Sequence, residues 1–534
     1  MAPWNDRHLF WLRDLQYADN TMAAELQAAG THIDYSASDM LIGETRQIHS
    51  RANSNQSTQS NLLSHIDIAS HRISNGFEGE RHHPGGPESI LKYAGKDATA
   101  VYDPIHPADT LDKYLDPSKH LGAVVMSVPA QKIEESPEEI ERRKRIAHKP
   151  LLSQCYNLFD FEAVAHRVMT KAAWAYFSSA ADNEITAQEN QRVFQRIWFR
   201  PQVLVDVEHV DISTTMLGTK TSIPIYVTAT ALNKLAHPEG EIIFTRASHK
   251  HNIIQMIPTL SSRAFDEIID ARGDDQIQWL QLYVNKDREV TKKIVQYAEE
   301  RGCKALCITV DNPQVGRRER DLRSKYTESN GEATGGNSPN HGTSNLLDPS
   351  LSWADIPWFQ SITSMPIVLK GVQRVEDVLK AVEHGCQGVI LSNHGGRQLE
   401  FARSPIEVLA ETMPVLRERG IEDKIEVYVD GGVRRGTDIL KALCLGARGV
   451  GIGRPFLYAM GAYGQPGVDK AIQLLKDELE TDMRLIGCNK LEELHPGLLS
   501  IRSLFDHSTH YQDGLSSAVY RPLTAVPQRG KAKL

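Results

Sequence analysis

From about residue 220 the chain alternates between short, almost uninterrupted apolar runs and longer stretches with helical spacing. The runs are IPIYVTAT (223–230), IIQMIPTL (253–260), IQWLQLYV (277–284), ALCITVD (305–311), PIVLKG (366–371), GVILSN (388–393), EVYVDGG (426–432) and GVGIGR (449–454). Apolar residues at nearly every place, rather than every second one, suit strands buried on both faces. Between most runs lies one amphipathic segment, such as VEDVLKAVEHG (375–385). Eight strand–helix units in a row predict an α/β fold, a (β/α)8 barrel of the TIM type.

The pattern outside the repeats divides the rest of the chain. SPEEIERRKRIAHKP (136–150) has a capping serine, a proline at the first helical position, early glutamates and late basic residues. It predicts a solvated linker helix, within a linker spanning 126–150. Residues 1–80 show no useful period, and RANSNQSTQSN (51–61) is polar and of low complexity, so this part stays unassigned. TESNGEATGGNSPNHGTSN (327–345) interrupts the fourth and fifth units and predicts a surface excursion above the barrel. The barrel is expected over 151–505 and a tail over 506–534.

Composition excludes several classes. A formal net charge of -8 gives no footprint for nucleic acid. No apolar run approaches the ~18 residues of a membrane span. Six scattered cysteines form neither a disulfide framework nor a zinc pattern, which suits a reducing, intracellular compartment. The C-terminal Ala532-Lys533-Leu534 is similar to a peroxisomal address.

Barrels of this kind carry their chemistry at the C-terminal ends of the strands. Thr230 and Ala231 end the first run, Gln281 and Tyr283 the third, Thr309 and Asp311 the fourth, Lys370 the fifth and Asp430 the seventh. After the sixth comes Asn-His-Gly-Gly-Arg, with His394 three residues from Arg397. His394 accepts a proton near neutral pH, and Asp311 is placed to hold its ring. Arg397 offers a planar fork for a carboxylate. The combination suits proton abstraction from an α-hydroxy acid. A structural His–Asp pair is the bland alternative, and the matching groups on other strand ends weigh against it. DGGVRRG (430–436) and GIGR (451–454) make Gly432, Arg434, Gly453 and Arg454 candidates for a phosphate. Protein side chains do not accept two electrons from a hydroxy acid, so a flavin is the natural occupant.

SNHGGRQLE (392–400), YNLFDFEAVA, WAYFSSAADNE, QLYVNKDRE, TVDNPQVGRRE, LKGVQRVEDV, VDGGVRRGTDILKALCLGA and GIGRPFLYA occur in this order over about 155–505. Together they resemble the FMN-dependent α-hydroxy-acid dehydrogenases and oxidases, with the flavocytochrome-type enzymes that oxidise L-lactate as the nearest branch. The resemblance implies His394 as base paired with Asp311, Arg397 and Tyr176 on the substrate carboxylate, and Tyr283 on its hydroxyl. It implies Arg318 as a second arginine and Lys370 beside the N1–O2 edge of FMN. Thr230, Ala231, Gln281 and Thr309 then contact the flavin ring, Asp430 the ribityl chain, and Gly432, Arg434, Gly453 and Arg454 the phosphate. Ala231 and Leu260 would face the substrate side chain. Pro258 stands where the family usually has a serine.

Ahead of the barrel, HHPGG and DPIHPADTLDKY resemble the two haem-ligand motifs of a b-type cytochrome, with His83 and His106 as iron ligands. The expected module is partial or degenerate and covers 81–125. The resemblance implies FMN and haem b as cofactors, cytochrome c as electron acceptor, a homotetramer, and the mitochondrial intermembrane space. The leading expectation is oxidation of L-lactate to pyruvate. The alternatives are an oxygen-using hydroxy-acid oxidase and a non-catalytic electron-transfer protein.

Overall fold

The computed structural model describes residues 136–324 and 347–507, with a few isolated residues between 102 and 110. The chain divides into two compact units, 1–103 with 109–132, and 104–108 with 133–534. Of the first, only Tyr102, Asp103 and Thr110 are described; the second holds the barrel. His83, the excursion at 327–345 and the C-terminal tripeptide lie outside the described residues, whereas His106 is described and half-buried.

Eight parallel strands close into a barrel: β1 (Ile225–Val227), β2 (Ile254–Pro258), β3 (Gln278–Leu282), β4 (Leu306–Thr309), β5 (Ile367–Val372), β6 (Gly388–Leu391), β7 (Glu426–Asp430) and β8 (Gly449–Ile452). Each pairs with its sequence neighbour, and β8 returns to β1. Each of the eight predicted runs carries one strand, and every strand residue but Glu426 is buried, as strands covered on both faces require. The interior is a packed core of its own. Tyr226, Trp279 and Tyr428 meet with ring centroids 5.6–5.9 Å apart, and Met216 from the hairpin at 214–221 joins them. β8 is glycine-rich for a steric reason. A Cβ on Gly451 would lie 2.8 Å from the Tyr226 ring, and one on Gly449 2.5 Å from Met216 Sδ. All six cysteines are buried and free.

Paired structure stops earlier than the apolar runs do. β1 ends at Val227, so Thr230 and Ala231 lie in the loop beyond it, and Tyr283 and Asp311 sit just past β3 and β4. At β2 the cause is visible. Pro258 pairs with Gln281 but has no N–H. Thr259 takes over, its Oγ1 donating to Gln281 O (2.5 Å) and accepting from Tyr283 N (3.1 Å).

Among the described residues from 136 on, four α-helices precede the barrel: α1 (Pro137–Ala147), α2 (Leu158–Val168), α3 (Lys171–Ser178) and α4 (Ile185–Arg192). α1 is the predicted solvated helix, capped by Ser136 and without a buried residue. It is moored all the same. Arg142 Nη1 donates to Val168 O (2.9 Å) and Arg145 Nε to Arg167 O (2.7 Å), satisfying carbonyls at the end of α2. After β7 and β8 come α5 (Gly436–Leu445) and α6 (Arg454–Ile486), and α6 packs along α2.

Candidate active site

The turn after β6 bends the chain sharply enough to bring His394 over the barrel mouth. His394 itself takes φ +59°, and Gly395 and Gly396 follow at +66° and +78°. Only the glycines hold that conformation without strain, so the histidine must be fixed by its contacts. Its Nδ1 lies 3.0 Å from Asp311 Oδ1, its Nε2 3.2 Å from Tyr283 OH, and its backbone N–H donates to Ser392 Oγ (3.0 Å). The Asp311 side chain is 1% exposed and its Oδ2 has no hydrogen-bond partner. Burial pushes the Asp311 carboxyl up, but His394 and Lys370 outweigh burial and hold it below its ordinary value. Burial and Asp311 push the Tyr283 phenol up to about 12. Gly371, at φ +106°, is required here, because its Cβ would come within 2.5 Å of Asp311 Cγ.

Arg397 is held from behind. Its Nη1 donates to Tyr176 O (2.9 Å), Phe177 O (3.2 Å) and Ser179 O (2.7 Å), the carbonyls that end α3. Its guanidinium carbon stands 5.5 Å from the Tyr176 ring centroid. Burial, with Arg318 nearby, lowers its pKa to about 9. Arg318 is buried, and its Nε has no partner. Among the described residues neither arginine forms an ion pair with a carboxylate. Two cations left in this state, Arg318 buried and Arg397 half-buried, are a receptor for an anion.

Across the mouth, Lys370 Nζ lies 3.0 Å from Asp430 Oδ2 and donates to Ser392 Oγ at 3.2 Å. Burial pulls the lysine pKa down, but Asp430 and Asp311 overcome this and it stays raised. Gln281 Nε2 donates to Thr309 Oγ1 (2.9 Å), and Thr230 Oγ1 bonds Asn233 Oδ1 (3.1 Å). Leu260 O accepts from Leu232 N, beside Ala231, which joins the first two loops.

At the ends of β7 and β8, Arg434 and Arg454 form a second cationic place. Arg434 reaches Glu162 (3.1 Å) while its Nε has no partner. Burial, with Arg434 close by, lowers the Arg454 pKa. Gly453 precedes α6 and no side chain caps that helix start. Gly432 takes φ +84°. A helix start without a side-chain cap, a glycine turn and the guanidinium groups of Arg434 and Arg454 fit the phosphate end of a flavin nucleotide. The set read from sequence is thus assembled around one mouth, except for the haem ligands.

Sequence reasoning passed over the residues that hold this set in place. Gln398 Nε2 donates to Asp311 O (2.9 Å) and Asn312 Oδ1 (2.8 Å), tying the segment that follows His394 to the one that carries Asp311. Glu400 accepts from Ile185 N (3.2 Å) and Thr186 N (2.8 Å), so it caps α4. Both stand in SNHGGRQLE, yet nothing in the string says which backbone groups they meet.

Comparison with known proteins agrees with this geometry. Residues 165–501 match the FMN-dependent dehydrogenase family. The chain belongs to that family. Residues 70–125 match a cytochrome b5-like haem/steroid-binding domain, starting ahead of the stretch from which the sequence delimits the module. The L-lactate dehydrogenase (cytochrome) of Wickerhamomyces anomalus is 54% identical over 82% of this chain and 79% of its own. That of Saccharomyces cerevisiae is 50% identical over 79% of this chain and 75% of its own. The flavin-binding domain of baker's yeast flavocytochrome b2 superposes with a TM-score of 0.67 at 50% identity, covering 73% of this chain and 98% of that one. The FMN site and the haem-binding module are therefore family features of this chain.

Proposed function

We propose that the protein oxidises L-lactate to pyruvate with FMN and passes the electrons through haem to cytochrome c. The observation that carries the reading is His394 set between Asp311 and Tyr283, together with Arg397 and Arg318, which lack a carboxylate partner among the described residues. An α-hydroxy acid meets each need of that arrangement. Its carboxylate pairs with Arg397 and Arg318 beside Tyr176. Its hydroxyl lies within reach of Tyr283 and His394. His394 takes up a proton, from carbon or from the hydroxyl, and Asp311 stabilises the resulting imidazolium. FMN, when bound, supplies the two-electron acceptor. Lys370, kept charged by Asp430 and Asp311, lies where it would stabilise negative charge on the flavin edge. Thr230, Ala231, Gln281 and Thr309 would line the ring, Asp430 the ribityl chain, and Gly432, Arg434, Gly453 and Arg454 the phosphate. Lactate is preferred over larger acids because Leu260 and Ala231 leave a small apolar space.

We further infer His83 and His106 as haem ligands and a homotetramer, both from the family resemblance. The same resemblance favours the mitochondrial intermembrane space over the peroxisome. An absorption spectrum of the purified protein tests the main reading. L-Lactate should bleach the flavin and then produce the spectrum of reduced haem. Bleaching without haem reduction, followed by rapid reoxidation in air, would instead favour an oxygen-using oxidase. No bleaching by any short 2-hydroxy acid would sink the reading.

A further inference from the structure

Asn190 lies on α4, away from the reacting groups, and its side chain is 1% exposed. It forms a closed amide pair with Asn393, the residue before the base. Asn190 Nδ2 donates to Asn393 Oδ1 and Asn393 Nδ2 to Asn190 Oδ1, both at 2.7 Å. Asn393 spends its remaining capacity on the turn. Its Oδ1 also accepts from Gly396 N (3.0 Å), and its Nδ2 also donates to Arg403 O (3.0 Å). Asn393 therefore closes the turn that keeps His394 left-handed, and Asn190 fixes Asn393.

The other side of Asn190 faces the loop after β7. A Cβ on Gly432 would stand 1.8 Å from Asn190 O, and one on Gly431 3.4 Å from Asn190 Nδ2. Gly431 and Gly432 both have positive φ, +98° and +84° respectively, and the loop begins at Asp430 and leads to Arg434. One buried asparagine thus touches the turn that carries the base and the loop that carries the phosphate candidates. A buried amide pair serving packing alone has no reason to sit at that junction. We propose that Asn190 is a positioning residue that couples occupancy of the phosphate loop to the placement of His394.

The inference rests on the proposed hydroxy-acid oxidation, and the test separates the two. Native protein and Asn190→Ala, both as full chains loaded with FMN, are mixed with saturating L-lactate, and flavin bleaching is followed by stopped flow. The first-order constant does not depend on the fraction of folded protein, so a merely structural defect leaves it unchanged. A displacement of about 1 Å at a reacting group costs up to roughly a hundredfold. The expected result is a constant lowered about ten- to a hundredfold, with half-saturation for lactate within about threefold, because Arg397 is anchored separately on α3. FMN affinity, read by fluorescence on titration, should fall in the same variant. The double variant Asn190→Ala/Asn393→Ala should be no slower than Asn393→Ala alone, since the pair acts as a unit. Asn190→Ser, which retains a hydroxyl donor, should fall between native and alanine and serves if the alanine variant does not fold. A bleaching constant within twofold of native in the folded variant overturns the proposal, as does full additivity of the two substitutions. If no hydroxy acid bleaches even the native flavin, the functional reading fails. FMN affinity then decides alone: unchanged affinity in the variant overturns the coupling.

Discussion

His394 is a β-carbon-bearing residue held at φ +59°, and everything around it resists relaxation of that angle. Ser392 takes its N–H, Asp311 its Nδ1, and Asn393 closes the turn behind it. His394→Gln keeps a polar side chain there but removes the proposed base. Flavin should stay bound, while turnover with L-lactate should fall by at least roughly 10²–10⁴-fold. Near-normal turnover with FMN retained would remove His394 from the mechanism. Arg397→Lys should act on substrate binding, because a point charge does not replace a planar fork, and an ammonium drawn to the carbonyls ending α3 has no second arm for a carboxylate. KM for lactate should rise at least about tenfold, roughly 1.4 kcal/mol; unchanged KM and kcat would mean the carboxylate binds elsewhere. Leu260→Ala should enlarge the apolar space and raise kcat/KM for 2-hydroxyoctanoate and mandelate relative to lactate. A native protein that already prefers mandelate would defeat the lactate assignment. At this scale the candidate residues were legible because polar and ionisable groups follow strand after strand at the ends of otherwise apolar runs. Ser392, Gln398, Glu400 and Asn190 were not. They act through bonds to backbone groups brought together by the fold, and an isolated Ser, Gln or Asn carries no mark of that.

The strands were the most legible elements, since burial on both faces leaves an unbroken apolar run that little else produces. Their ends were not, because the ladder stops wherever a side chain takes over a backbone partner, as Thr259 does after Pro258. Helices α5 and α6 show a second feature that string patterns hide. Asp438 caps α5 by accepting from Arg434 N and Arg435 N, Glu478 accepts from Gly436 N, and Asp482 stands on α6 near both carboxylates. Burial, then Glu478, raise the Asp482 carboxyl to about 6 despite Arg435 and Lys441. An acid with a raised folded pKa binds more protons folded than unfolded between its two pKa values. Its contribution to stability therefore declines as pH rises from about 4 to 6 and stays unfavourable above that. Asp482→Asn removes the ionised form. Its Tm should exceed the native value by about 1–3 °C at pH 7.5, with the gap closing towards pH 4. A gap that widens on acidification would contradict the assigned cause.

At the scale of the whole molecule the chain carries two kinds of redox site in separate stretches of sequence, a haem-binding match over 70–125 and an FMN match over 165–501. The barrel was readable because eight repeated units reinforce one another, whereas the module rested on two short histidine motifs whose spacing agrees. Separate stretches should fail separately. His83→Ala or His106→Ala removes one proposed iron ligand without altering a residue of the barrel mouth. Each variant should lose the haem absorption bands and cytochrome c reduction. Each should keep FMN and its bleaching by L-lactate at a rate within about twofold of native, since His394, Asp311, Lys370 and the two arginines are untouched. An added artificial acceptor that takes electrons directly from flavin should restore steady-state turnover. If either variant retains haem with native cytochrome c reduction, that histidine is not a ligand. If both lose flavin bleaching along with haem, the two sites are not separable, and the division of labour proposed for this chain is wrong.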